Sequence, residues 1–138
     1  MVSDLGWFLL ILLWTYAAVS KLAQFDHFKD QMSIQAFGRS AGLYLIYILP
    51  ATELITVALL SFPLLRITGL YISISLLIVF TIYILLILLY FFPVVPCSCG
   101  GILEKLGWTP HLIFNLAFIA INIYALITLK RKEDCGIK

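Results

Sequence analysis

The stretch ITGLYISISLLIVFTIYILLILLYFFPVV, residues 67–95, carries no charged side chain. It exceeds the roughly 20 apolar residues that a helix needs to cross a bilayer, so it predicts a membrane span over residues 67–92 with room to tilt. Directly behind it stands Pro96-Cys97-Ser98-Cys99-Gly100-Gly101. In an extended or turning backbone, residues i and i+2 lie near the Cα separation that a disulfide accepts. The ring so formed would be small and strained, hence easily reduced and apt to oxidise other thiols. Gly100 and Gly101 supply the freedom that a tight turn would need. Three readings of the cysteines stay open: a redox pair, part of a thiolate site for a soft metal such as Cu(I), or thiols packed as small apolar groups. A zinc site needs four ligands, and no second Cys or His cluster supplies them. The redox pair is the working reading.

The rest of the chain has the same character. Of its 138 residues, 63% are hydrophobic and 12% charged, against about 25% charged in a soluble domain. Such a chain is an integral membrane protein. A net charge of +2, scattered along the sequence, excludes nucleic-acid binding. Met1 to Asp4 contain no Lys or Arg and no A-x-A site follows, so the first apolar run, residues 5–25, reads as a retained helix. Trp7, Trp14 and Lys21 recur at sevens on one face of it. Lys21 lies about one turn inside its far end, within snorkelling distance of the interface. Ala17, Ala18 and Ser20 leave room for a close neighbour.

Residues 26–40 are too polar to span and predict a loop or a short helix at the membrane surface, with His27 solvated. The second span, residues 43–62, contains Pro50 and Glu53. Glu53 falls about 15 Å from the start of that span, near the bilayer middle. A carboxylate there must be protonated, paired or facing a wet cavity. Thr52, Thr56 and Asn122 are candidate partners. Glu53 thus reads either as a proton-handling or quinone-facing acid or as one end of a structural bond between helices. Tyr83, Tyr90, Phe91 and Phe92 form an aromatic belt or the wall of a flat quinone pocket. Residues 102–108 are amphipathic and suit a lid. Thr109-Pro110 predicts a helix start with Thr109 as N-cap, which puts His111 in the first turn of a fourth span over residues 111–129. Asn115 and Asn122 make a polar stripe on that helix, and Cys135 in the charged tail reads as an inert thiol. The expected architecture is all-α: one four-helix membrane bundle, residues 1–138.

Four spans put both termini on one side. Arg66, Lys130, Arg131, Lys132 and Lys138 fall on that side, against Lys21, Lys29, Arg39 and Lys105 on the other. The cluster Lys130 to Lys132, directly at a helix end, decides for cytoplasmic termini and an external Cys-x-Cys loop, where disulfides persist.

Ser20-Lys21-Leu22 after the first span, Pro50-x-x-Glu53 in the second and Cys97-x-Cys99-Gly100-Gly101 after the third resemble the MauE branch of the DoxX-like membrane proteins. The resemblance covers nearly the whole chain. It implies a four-helix protein of the bacterial inner membrane, linked through methylamine utilisation to disulfide formation in the periplasmic methylamine dehydrogenase light subunit. It also implies Cys97 and Cys99 as the redox pair, and Lys21 and Glu53 as the polar positions of the bundle. Together with the residues, it suggests a thiol–disulfide oxidoreductase. A periplasmic thioredoxin-like or cysteine-rich client would give up electrons to the pair, and a quinone in the bilayer would be their acceptor. A protonated His111 and the adjacent helix start would favour a thiolate nearby and make the pair a stronger oxidant. The alternative reading is non-enzymatic: a Cu(I)-handling protein or a structural subunit of a membrane redox complex.

Overall fold

The computed structural model describes residues 2–33, 39–91 and 107–136. Five α-helices and one short 3₁₀ turn make up the described chain: α1 (Val2–Ala23), α2 (Phe25–Ser33), α3 (Arg39–Ser61), the 3₁₀ turn Pro63–Leu65, α4 (Arg66–Leu88) and α5 (Trp108–Gly136). Among the described residues, α1, α3, α4 and α5 are long and apolar enough to cross a membrane. Each is packed on two neighbours in a closed ring, α1 on α3, α3 on α4, α4 on α5 and α5 on α1. The protein is an all-α, multi-pass membrane bundle.

The distribution of polarity shows which solvent these helices suit. Lys21, Glu53, Thr56, Ser73, Thr81, His111, Asn115 and Asn122 are buried, while Phe8, Leu12, Ile55, Val79, Ile82, Leu116 and many other large apolar residues are exposed. That is the inverse of a water-soluble bundle. In hydrocarbon the outer surface gains nothing from polarity, whereas polar groups must find one another inside. Along α1 the buried positions are Gly6, Leu10, Trp14, Ala18 and Lys21, and along α4 they are Gly69, Leu70, Ser73, Leu77, Thr81, Ile84 and Ile87. Apart from the adjacent Gly69 and Leu70, these steps of three and four form one stripe per helix. Leu10, Trp14, Leu60, Leu70, Leu77 and Ala125 meet as the apolar core.

The polar stretch after α1 contains α2, a short helix whose Phe28 and Met32 pack on Ile46 of α3. Gly42 allows this approach, because a Cβ there would run into the main-chain carbonyl of Met32. Gly42→Ala is therefore expected to push α2 off α3. A cost of about 1–3 kcal/mol, the usual range for overpacking, should appear in detergent unfolding, with faster amide exchange confined to α2.

Several helix boundaries differ from those expected. The third span ends at Leu88 rather than at residue 92. Tyr90 has φ 54°, and the N–H groups of Tyr90 and Phe91 donate to the carbonyls of Ile87 and Leu86, each at 3.0 Å. This is a Schellman stop with Tyr in the left-handed position that Gly usually takes. At the other end of the connection, α5 starts at Trp108 after Gly107 (φ 81°), so Thr109 lies inside the first turn rather than at the N-cap. Pro110 remains in that turn, where no helical partner needs its missing N–H. The fourth span was expected to stop at residue 129, but α5 continues through Lys130–Lys132 to Gly136, with Cys135 exposed and free.

Candidate functional site

Lys21 and Glu53, 32 residues apart, meet between α1 and α3. Lys21 Nζ lies 2.6 Å from Glu53 Oε1, with the two side chains 4% and 0% exposed. The ammonium also donates to the Ala17 carbonyl at 3.3 Å, which anchors it to its own helix. Two charges out of water are tolerable only when they neutralise each other at hydrogen-bond distance. A cavity of about 50 Å³ adjoins the pair, lined by both charged residues together with Trp14, Trp108, His111 and Asn115. His111 and Asn115 are buried one turn apart on α5. Glu53 Oε2 and Asn115 Nδ2 are buried without a hydrogen-bond partner. One is an acceptor and the other a donor. The lining of the cavity is mostly apolar and aromatic, with Lys21, Glu53, His111 and Asn115 as its polar members.

Glu53 was expected at the bilayer middle beside Thr52, Thr56 and Asn122. Its partner is instead Lys21, two residues from the end of α1, and the nearby His111 is three residues after the start of α5. Thr52 and Thr56 turn back on their own helix, donating to the Leu49 and Thr52 carbonyls at 2.8 and 2.7 Å. Asn122 does not bond to Glu53, whose one partnered oxygen is held by Lys21. It meets Ser73 of α4 instead, at 2.7 Å. With the amide oxygen turned toward Ser73, the hydroxyl donates to it and Asn122 Nδ2 donates to the Leu70 carbonyl at 3.2 Å. The hydroxyl oxygen also accepts the Trp14 indole N–H at 2.8 Å. This second polar centre ties α1, α4 and α5 across the middle of the bundle. Ser73 was not singled out from sequence. Ser73 and Ser75 both interrupt the apolar run, and two residues apart they face different directions, so only the neighbours show which one turns inward.

Of the five site residues expected from sequence, Lys21, Glu53 and His111 come together around the cavity. Cys97 and Cys99 lie outside the described residues. Tyr83 lines the cavity, whereas Tyr90 and Phe91 are exposed at the end of α4.

A ring of four apolar helices with a buried Lys–Glu pair defines a class: multi-pass helical membrane proteins with a charged interior site. Within that class, the chain belongs to the MauE family, described as methylamine utilisation protein MauE, which matches residues 1–129. Searches of curated proteins and of solved structures returned no match.

Proposed function

We propose that this protein is a thiol–disulfide redox component of the bacterial inner membrane, acting through Cys97 and Cys99 on a periplasmic client. The supporting observation is the convergence of Lys21, Glu53 and His111 on one cavity. Lys21 lies near the end of α1 and His111 near the start of α5, and the chain that joins α4 to α5 carries both cysteines. In the proposed reaction, a client thiolate attacks the Cys97–Cys99 disulfide and forms a mixed disulfide. The client's second thiol then resolves it, leaving an oxidised client and a reduced pair. Re-oxidation of the pair passes two electrons and two protons to a quinone in the bilayer, which leaves as quinol. Glu53 is the group suited to hold a proton on that path, and Lys21 keeps it in place. Cytoplasmic termini follow from Arg66, Lys130, Arg131 and Lys132 at the opposite ends of α4 and α5.

Trapping tests the reading. Cys97→Ser or Cys99→Ser leaves one thiol, which can attack the disulfide of an oxidised client in the reverse of the proposed step; with no second cysteine on the chain to displace the client, the mixed disulfide should accumulate as an adduct released by reductant. A membrane-impermeant maleimide on spheroplasts should label the reduced pair and miss Cys135. No adduct from either variant, with copper bound to the purified wild type, would replace this reading by Cu(I) handling.

A further inference from the structure

A second opening lies on the other side of the wall that bounds the ion-pair cavity. Between α3 and α4 is a cleft of about 600 Å³, lined by Tyr44, Leu45, Ile48, Leu76 and Val79 among others. Phe80 and Tyr83 line both the cleft and the small cavity. Tyr44, Ile48 and Val79 are exposed on the outer surface of the bundle, so the cleft opens to the hydrocarbon. Size separates the roles of the two spaces. The cavity's 50 Å³ accommodates water but is smaller than the roughly 150 Å³ that admits one benzene ring. The cleft's 600 Å³ falls within the roughly 300–1,000 Å³ of ordinary ligand pockets.

We infer that the α3–α4 cleft is the site of a prenyl-tailed quinone, its ring against Phe80 and Tyr83 and its oxygen linked through the hydrated cavity to Glu53 and Asn115. The inference rests on the redox reading, which requires an electron acceptor soluble in the bilayer. Three observations carry it. The cleft is apolar and open to the membrane, as a prenyl tail entering sideways requires. Its inner wall is aromatic, which suits a flat ring. Behind that wall stand an unpartnered acceptor, Glu53 Oε2, and an unpartnered donor, Asn115 Nδ2, both buried. A quinone oxygen is a carbonyl when oxidised and a hydroxyl when reduced, so it can use the donor in one state and the acceptor in the other. A phospholipid acyl chain offers neither. Thr52, which lines the cleft, is the residue next to Glu53, so the two spaces also adjoin along α3.

Binding can be read without the cysteines. The Cys97→Ser, Cys99→Ser protein in lipid nanodiscs is titrated with a decyl-tailed benzoquinone, and quenching of tryptophan fluorescence is followed, since Trp14 and Trp108 border the cavity. A single saturable site is expected. Val79→Phe, which fills the cleft from an exposed position, should weaken binding about tenfold or more, and Ala41→Leu should do so from the facing wall. Ile82→Phe, exposed on α4 but outside the cleft, should leave it unchanged. Decylbenzene, which has the tail and a ring but no oxygen, should compete poorly. Linear quenching identical in all variants would mean partition into lipid and would overturn the site. Equal competition by decylbenzene would assign the cleft to acyl chains. If client trapping fails while saturable binding persists, the redox reading falls and the quinone site stands; the reverse outcome removes the site alone.

Discussion

Lys21→Ala is expected to destabilise the folded bundle by about 3–5 kcal/mol, the range for removing one partner of a buried ion pair. Glu53→Ala should cost less. The two charges are not equivalent once separated. Lys21 sits two residues from the end of α1, has a long stem, and keeps its bond to the Ala17 carbonyl. It can carry its ammonium toward the interface when Glu53 is gone. Glu53 has 0% exposure and one oxygen already without a partner, so loss of Lys21 leaves the whole carboxylate unpaired. The double variant Lys21→Met, Glu53→Leu should recover most of the lost stability, because it removes both desolvation costs and fills the space with apolar atoms. It should not recover client oxidation. SDS titration of the four proteins in mixed micelles measures the stabilities. If the double variant is as unstable as Lys21→Ala, or if Glu53→Ala is the worse single change, this account of the pair fails. Glu53→Gln adds a functional readout. It preserves the shape and a partner for Lys21, so folded protein with impaired electron transfer is expected, whereas equal loss of both would mark the pair as purely structural.

The second large effect is expected at Ser73. A hydrogen bond between membrane helices is worth about 0.6 kcal/mol on average, so an ordinary serine would barely be missed. Ser73 is not in that position, because its single hydroxyl serves two buried groups from two other helices, the Trp14 indole and the Asn122 amide. Ser73→Ala leaves the Trp14 indole N–H unsatisfied, at about 1–3 kcal/mol, while Asn122 loses one bond but keeps Leu70 and Ile74 as partners. A loss of about 1–3 kcal/mol is therefore expected in the same SDS titration. Ser75→Ala is the matched control, since Ser75 is exposed and bonds only to the Tyr71 carbonyl of its own helix. It should change stability by no more than about 0.5 kcal/mol. Equal effects at the two serines would show that the three-helix centre contributes nothing beyond an ordinary bond. Trp14 supplies an independent signal, because its indole emission should shift in Ser73→Ala and stay fixed in Ser75→Ala.

Much of the architecture was legible before any helix was placed. Span number follows from length and polarity alone: about 20 residues without charge cross a bilayer in only one way, and 12% charged residues leave little chain for anything else. Lys21 and Glu53 stood out for the same reason, as ionisable groups in apolar runs whose cost demands a partner or a function. His111 was marked by its place behind Pro110. The partners themselves were not legible. In a soluble helix the apolar stripe marks the buried face, but α4 is apolar all round, so periodicity cannot say whether Ser73 or Ser75 turns inward. Depth estimates along single helices placed Glu53 beside Asn122. Only the packing of α1 on α3 brings it to Lys21, and only that of α5 on α4 sends Asn122 to Ser73. The end of α4 at Leu88 was hidden as well, because Tyr90 carries none of the conformational preference of the Gly that usually stops a helix. Membrane span and polar residue type are local properties, read from composition and length. Which polar groups meet is decided by helix rotation and stagger, which exist only once the four helices have packed.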